Sequence, residues 1–172
     1  MFNNLDTLLI KVASRCNLDC SYCYVYQGQD QNWVNQPKRI SNETIDSICK
    51  SIDQVTSFQN NGFAVVLHGG EPLLLGSVKL KELLSKLRRV LPNYDKYPIA
   101  IQTNGILLSD EIIEICSHYK TSISVSLDGV KKSNDIARFT HDGQSSFQKV
   151  INGIDKLIAH PENDFLFSGT LS

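Results

Sequence analysis

Three of the five cysteines in this sequence lie within eight positions of one another, in the segment SRCNLDCSYCYVY at residues 14–26. Cys16, Cys20 and Cys23 follow each other at gaps of four and three residues. Three thiolates on one short loop can each bind one iron of a [4Fe–4S] cluster, whereas clusters of the ferredoxin type use four protein thiolates. We therefore predict a cluster in which one iron lacks a protein ligand and is open to a small molecule.

The other two cysteines, Cys49 and Cys116, fall on the apolar faces of predicted helices, and we interpret them as packed core residues. The alternatives to a cluster are a structural zinc site and a chance grouping. A zinc site needs a fourth Cys or His ligand, and His68, at the end of the second predicted strand, is the only plausible one. We favour the iron–sulfur cluster over zinc.

Four polar motifs each follow or close a predicted strand: the cysteine segment, HGGEP at 68–72, TNG at 103–105 and SLDG at 126–129. The carboxyl ends of parallel strands lie on one face of an α/β fold, and active sites assemble on that face. We therefore expect successive loops to build one site from these motifs.

The HGGEP motif combines two glycines with an acid and a proline. Gly69 and Gly70 let the backbone approach a ligand closely, and Glu71 can accept a hydrogen bond from an ammonium group. Pro72 stiffens the turn by fixing its φ angle. Taken alone, the motif is equally typical of an ordinary turn between a strand and a helix.

The TNG and SLDG motifs have a similar alternative, because Asn-Gly and Asp-Gly pairs are common in turns. Asn104 is the polar side chain of the first motif. Ser126 alternates with Ser124 along its strand and can point its hydroxyl into a barrel interior. Arg138, in NDIAR, is either a surface cation or the bidentate partner of a carboxylate.

Aromatic residues surround the third cysteine. Tyr22, Tyr24 and Tyr26 alternate with other residues there, and an aromatic ring at this place can stack on an adenine. We predict that role for Tyr24 and leave packing open for the other two. Trp33 lies in the polar segment 27–40, the longest predicted loop, which we interpret as a solvated surface loop with Trp33 as a possible substrate contact.

Apolar runs and helical periodicities alternate along the chain, which predicts right-handed parallel βαβ units. Ser41 and Ser109 are the predicted N-caps of two helices. Five strands with four helices fit either a small doubly wound sheet or the first half of a (β/α) barrel. The predicted strands are 7–13, 63–67, 99–102, 122–127 and 165–171, and the predicted helices are 41–58, 77–91, 109–118 and 146–159.

The composition is that of one ordinary globular domain, with 172 residues, 41% hydrophobic and 20% charged residues, and a net charge of -1. This charge gives no reason to expect nucleic acid or an anionic membrane as a partner. The N-terminal segment has no basic start and its apolar run is broken by Lys11, so we predict neither a signal peptide nor a membrane span and expect a reducing cytoplasm. Because the last predicted strand has no helix after it, we expect an N-terminal piece of a longer protein.

The motifs together resemble those of the radical S-adenosylmethionine (radical SAM) superfamily. CNLDCSYC matches its CxxxCxxC pattern, and GGEP, TNG and SLDG fit its second, third and fourth strands. The sequence is most similar to the SPASM-type maturases, which include cyclophane-forming peptide maturases and sulfatase-maturating enzymes. The resemblance implies an α/β fold, a partial (β/α)6 TIM-like barrel of which about five strands are present. Residues 1–172 would form the N-terminal part of the radical SAM core, without its last strand and the SPASM auxiliary-cluster domain.

The resemblance also implies roles for individual residues. The three cysteines would hold the [4Fe–4S] cluster, and its open iron would bind the amino and carboxylate groups of SAM. The implied SAM contacts are Gly69, Gly70 and Glu71 for the methionine moiety, Ser126 and Arg138 for its carboxylate or the ribose, Asn104 for the ribose pocket, and Tyr24 for the adenine.

The implied function is reductive cleavage of SAM to a 5′-deoxyadenosyl radical that abstracts hydrogen from a peptide. We expect this to crosslink side chains of a ribosomally synthesised precursor peptide, with an electron donor such as a flavodoxin or ferredoxin. Two alternatives stay open: oxidation of Cys or Ser in a protein, as in sulfatase maturation, and a catalytically idle fragment that binds iron–sulfur or zinc.

Overall fold

The computed structural model describes residues 4–171, which form one five-stranded parallel sheet with helices along the chain between the strands. The strands are β1 Thr7–Ala13, β2 Ala64–Gly69, β3 Ile99–Thr103, β4 Thr121–Ser126 and β5 Phe167–Leu171. The helices are α1 Asn42–Phe58, α2 Ser77–Val90, α3 Asp110–His118, α4 Lys131–Ala137, α5 Phe147–Ala159 and α6 Asn163–Leu166. Short 3-10 turns span Asn32–Asn35 and Pro72–Leu75.

The order of the strands decides between the two predicted architectures. Each strand pairs in parallel with the strand that precedes it in the chain, so the sheet order is β1-β2-β3-β4-β5. A doubly wound sheet reverses its strand order at a switch point, and a barrel does not. The fold is therefore part of an α/β barrel, as the motifs implied.

The two faces of the sheet differ in chemistry. On β2, β3 and β4 every second side chain is buried among the helices, while the residues between them stay partly exposed on the opposite face. His68, Gln102 and Ser126 belong to that opposite face. Nearly continuous apolar runs are typical of strands covered on both faces, but here only the helix side is covered, because polar residues occupy alternate positions on the other side.

The helices begin largely where the sequence predicts. Ser41 accepts a hydrogen bond from the backbone N–H of Thr44, and Ser109 accepts one from Ile112, which confirms both N-caps. The sequence did not predict α4, because Asn134 is its one buried residue and it has no apolar stripe. Residues 163–166 form α6, so the last strand begins at Phe167, later than predicted. None of the helices between residues 4 and 171 combines the length and the apolar composition that a membrane span requires.

Candidate functional site

The three cysteines lie on a loop that leaves β1, which we call the cysteine loop (residues 14–23). Its first residues are fixed to the end of β2, because Gly70 N–H donates to the carbonyl of Ala13 and Glu71 N–H donates to that of Arg15, both at 2.9 Å. Its later residues are fixed to the segment after α4, where Asp19 N–H donates to the carbonyl of Phe139 at 2.9 Å. The loop is thus held from two sides by backbone hydrogen bonds.

The cysteine side chains are half-buried free thiols. Burial raises the pKa of Cys16 to about 11 and also raises the pKa of Cys20, although the charge of Arg138 opposes the shift at Cys20. These two thiols therefore stay protonated near neutral pH until a metal displaces the proton. Within residues 4–171 no group of three or more His, Cys, Asp or Glu side chains, the loop cysteines included, is arranged to hold a single metal ion.

Outside the loop, Cys116 is fully buried in the core, as predicted, and its pKa is raised by that burial to about 12. Cys49 is half-buried and packs against the edge of the same core. Both residues are packing residues of the helices, and the cysteine loop is the one place where thiols gather in the part of the chain that the structure describes.

Neighbouring atoms of the protein leave no room for a side chain at either glycine of HGGEP. Gly69 has a φ of 145°, and a Cβ there would overlap the carbonyl oxygen of Ala13. A Cβ on Gly70 would overlap both the hydroxyl of Tyr26 and the carbonyl oxygen of Arg15. The absence of side chains at these two positions therefore lets the cysteine loop pack directly against the end of β2.

Glu71 is fully buried and joins two strand ends. Its Oε1 accepts hydrogen bonds from the backbone N–H of Leu73 at 2.9 Å and from the hydroxyl of Thr103 at 2.6 Å. Its Oε2 accepts from the backbone N–H of Asn104 at 2.8 Å. Burial raises the pKa of this carboxyl, while the hydrogen bonds oppose that shift. The side chain thus positions the TNG loop relative to β2.

A cavity of about 400 Å³ opens on the face of the sheet opposite the helices. It is lined by Tyr22, Val66, His68, Gln102, Ser126, Asp128 and Arg138. The Tyr22 hydroxyl accepts a hydrogen bond from Arg138 Nη1 at 2.6 Å and donates to Asp128 Oδ2 at 2.9 Å. Ser126 Oγ accepts from Gln102 Nε2 at 2.9 Å.

Arg138 is the strongest candidate for binding an anionic group in this cavity. The residue is only 7% exposed, its Nη1 lies 3.7 Å from Asp128 Oδ1, and its buried Nε has no hydrogen-bond partner within residues 4–171. A buried guanidinium donor without a partner is costly, and a carboxylate satisfies it with the correct geometry. The unpartnered Nε of Arg138 therefore supports the fit of a ligand carboxylate to this cavity.

The structure places the predicted site residues in three locations. Ser126 and Arg138 line the cavity together, and Asn104 contacts the cysteine loop at Cys16. Tyr24 is 78% exposed and lines a second groove, of about 780 Å³, with Gly69 and Gly70 at the edge of β1. Tyr22, and not Tyr24, lies in the cavity. Alternation along the sequence gave no signal for choosing between these two tyrosines.

Sequence reasoning missed two residues that hold the cysteine loop. Arg15 donates to the carbonyls of Trp33 at 2.6 Å and Val34 at 2.8 Å, and its guanidinium lies 5.1 Å from the centroid of the Trp33 ring. His141 Nε2 lies 3.1 Å from the carbonyl oxygen of Cys16. The segment 27–40 is thus anchored to the loop through Trp33. The one sequence feature that could have indicated this anchoring is the arginine directly before the first cysteine.

Comparison with known families gives one match that covers most of the chain. The sequence profile of the Radical SAM superfamily matches residues 10–164. This range includes the cysteine loop, the ends of the first four strands and the segment after α4.

Two relatives are enzymes with different named reactions. The radical SAM cyclopropyl synthase TigE of Paramaledivibacter caminithermalis is 26% identical over 184 residues, covering 98% of this chain and 36% of that protein. A cysteine-type anaerobic sulfatase-maturating enzyme of Clostridium perfringens is 31% identical over 147 residues, covering 84% of this chain and 38% of that protein.

Solved structures agree with the fold. A structure described as native anSMEcpe with bound AdoMet superposes with a TM-score of 0.76 at 26% identity, covering 96% of this chain and 43% of that one. A structure of the same protein with bound AdoMet and the Cp18Cys peptide gives a TM-score of 0.74. The chain spans less than half the length of these relatives.

Proposed function

The chain belongs to the radical SAM superfamily, and from this membership we propose that it forms the SAM-cleaving part of a peptide or protein maturase. Radical SAM proteins use a [4Fe–4S] cluster and SAM. The observation that carries the proposal is the joining of the cysteine loop to the cavity wall through Tyr22 and Arg138. This contact brings a cluster loop and a carboxylate-binding guanidinium to one edge of the sheet.

The residues fit both groups. Cys16, Cys20 and Cys23 supply three soft thiolate ligands, and the raised thiol pKa values of the first two mean that cluster binding releases protons. Arg138 offers an unpartnered buried donor for the carboxylate of SAM, with Ser126 beside it in the cavity. When bound, the cluster and SAM supply one-electron cleavage of SAM and hydrogen-atom abstraction from substrate.

We propose the other SAM contacts from where the residues lie relative to the cysteine loop and the cavity. The backbone at Gly69, Gly70 and Glu71 borders the cysteine loop, so we propose it as the methionine-binding segment. The side chain of Asn104 contacts the same loop, so the ribose contact that we propose for this residue comes from its backbone. For the adenine contact there are two candidates. The sequence predicts Tyr24, and the position of Tyr22 in the cavity favours Tyr22.

For the substrate we propose a peptide. The names of two relatives, a cyclopropyl synthase and a sulfatase-maturating enzyme, describe different reactions. We propose side-chain crosslinking of a ribosomally synthesised precursor peptide, with oxidation of Cys or Ser in a protein as the second candidate. A low-potential one-electron donor such as a flavodoxin or ferredoxin would reduce the cluster.

The test uses the full-length protein that contains this chain, reconstituted anaerobically with iron and sulfide. Incubation with SAM, dithionite and peptides encoded beside its gene is followed by mass spectrometry. Loss of two hydrogen atoms between two side chains supports crosslinking, whereas oxidation confined to one Cys or Ser supports the second candidate. A protein that binds no iron–sulfur cluster after reconstitution contradicts the whole proposal.

A further inference from the structure

Cys16 differs from the other two loop cysteines in its hydrogen bonding. Its Sγ accepts from the backbone N–H of Leu18 at 3.4 Å and lies 3.8 Å from the side-chain nitrogen Nδ2 of Asn104. Among residues 4–171 no comparable hydrogen bond reaches the sulfur of Cys20 or Cys23. The donors are thus concentrated on one of the three thiols.

The orientation of the Asn104 amide follows from its other contacts. Its Oδ1 accepts a hydrogen bond from the backbone N–H of Ile106 at 3.1 Å, so the oxygen is committed to its own loop. The NH₂ group must therefore face the cysteine loop. The nitrogen Nδ2 lies 2.7 Å from Asn17 Oδ1 and 3.8 Å from the sulfur of Cys16, so its two hydrogens face these two acceptors.

Asn104 is also held rigidly. The residue is only 6% exposed, and its backbone N–H donates to the buried carboxyl of Glu71 at 2.8 Å. The neighbouring Thr103 binds the same carboxyl at 2.6 Å. Because the backbone and both ends of the amide are fixed, the donor toward Cys16 is in place before any cluster binds.

A simpler account is that Asn104 only caps its own turn through Oδ1. That account uses the bond to Ile106 and leaves the position of Nδ2 unexplained. The two nitrogen contacts cross to a loop 87 and 88 residues away in sequence, so they are tertiary contacts and not part of a local turn.

Hydrogen bonds to cluster sulfurs raise the reduction potential, because they stabilise the extra negative charge of the reduced form. We propose that Asn104 is a positioning residue that raises the reduction potential of the cluster through its N–H···S bond to Cys16. The inference rests on the proposed function, since it requires a cluster on the cysteine loop. This hydrogen bond would make the cluster easier to reduce by a low-potential one-electron donor.

The first experiment measures the midpoint potential of the reconstituted full-length protein without SAM, by a dithionite titration followed by EPR. Asn104→Ala is expected to lower the one-electron equilibrium constant three- to tenfold, a shift of about 30 to 60 mV to lower potential. Asn104→Asp keeps the acceptor for Ile106 but replaces the donor with a negative charge, so its potential should fall further.

The matched control is Gln59→Ala. It also removes a side-chain amide that makes tertiary hydrogen bonds, but that amide binds the backbone of Leu5 at 2.9 and 3.0 Å, away from the cavity, and not a cysteine. Its potential should stay within twofold of wild type. An unshifted potential in Asn104→Ala, or an equal shift in both variants, overturns the proposal.

The second experiment uses the wild-type protein alone and so does not depend on the variants folding. Asparagine labelled with 15N in its side chain is incorporated, and pulsed EPR of the reduced cluster should show a 15N coupling transmitted through the hydrogen bond. Absence of this coupling overturns the inference. If wild-type protein forms a cluster but shows no 15N coupling, and Asn104→Ala leaves the potential unshifted, only this inference fails. Failure of the wild-type protein to form a cluster contradicts the proposed function itself.

Discussion

Arg138 donates a 2.6 Å hydrogen bond to the hydroxyl of Tyr22, although the two residues are 116 positions apart in the sequence. Asp128 accepts from the same hydroxyl at 2.9 Å, so the cysteine loop, the end of β4 and the segment after α4 meet at one point. This contact joins the cysteine loop directly to the wall of the cavity. The position of the cysteine loop and the position of the Arg138 side chain are therefore mutually dependent.

Removal of any one loop cysteine should prevent stable cluster binding. Each of Cys16→Ser, Cys20→Ser and Cys23→Ser replaces a soft thiolate with a poor iron ligand. Iron and sulfide content after anaerobic reconstitution should fall to a small fraction of wild type. Cys49→Ser is the control, because this half-buried helix residue lies outside the loop and should leave the content unchanged. Equal loss in the control would contradict the assignment of ligands.

Arg138 should determine the affinity for SAM. A charged hydrogen bond to a carboxylate contributes about 1.5 to 3 kcal/mol, so Arg138→Gln should weaken SAM binding roughly 10- to 100-fold. Equilibrium dialysis with labelled SAM measures the effect. Lys131→Gln removes an exposed cation from α4 and should change the dissociation constant less than twofold. An unchanged affinity in Arg138→Gln would show that its guanidinium does not bind the ligand.

Tyr22 and Tyr24 can be separated by the same binding measurement. Stacking of a base on an aromatic ring contributes about 1 to 3 kcal/mol, so loss of the stacking residue should weaken SAM binding at least fivefold. Because Tyr22 lines the cavity and Tyr24 is 78% exposed, we expect Tyr22→Leu to show this loss and Tyr24→Leu to stay near wild type. Tyr22→Phe keeps the ring but removes the hydroxyl that binds Arg138, so the loss in Tyr22→Leu should exceed that in Tyr22→Phe. The opposite result would support Tyr24 as the adenine contact.

Gly70→Ala should displace the cysteine loop. The added Cβ would overlap the carbonyl oxygen of Arg15 and the hydroxyl of Tyr26, so the loop cannot keep its packing on β2. We expect reduced cluster content in a protein that keeps its far-ultraviolet circular dichroism. Gly143→Ala is the control, since its φ of 78° is strained for alanine but no atom lies within 4 Å of the new Cβ. Normal cluster content in Gly70→Ala would contradict the packing described.

In the cluster-free protein, Cys16 should react slowly with iodoacetamide near neutral pH. Burial raises the pKa of its thiol from 9.0 to about 11, so the reactive thiolate appears only as the pH approaches the raised value. Alkylation rates, followed by mass spectrometry of the loop peptide, should therefore increase through pH 9 toward about 11. A rate that levels off near pH 9 would mean that the thiol is not buried as described.

Much of the fold and of the site was predictable from local sequence. Apolar runs located the strands, and Ser41 and Ser109 located two helix starts, because these features depend on near neighbours. The spacing of Cys16, Cys20 and Cys23 carried the cluster prediction for the same reason. The choice between a doubly wound sheet and a barrel needed the strand order, which depends on pairing between distant segments.

What could not be predicted depends on contacts across the fold. Glu71 faces Thr103 and Asn104, and the donor of Asn104 faces Cys16. The directions of these side chains follow from strand register and loop packing, which no local pattern encodes. The same holds for Tyr22, whose partners Asp128 and Arg138 lie more than a hundred residues away.

The central claim is that this chain holds the machinery for cleaving SAM. Its most direct test is the yield of 5′-deoxyadenosine from SAM and dithionite with the reconstituted full-length protein, measured by liquid chromatography. We predict deoxyadenosine in amounts that exceed the protein, and none above background in Cys16→Ser, Cys20→Ser or Cys23→Ser. A wild-type protein with a complete, reducible cluster that binds SAM and yet forms no deoxyadenosine would contradict the claim.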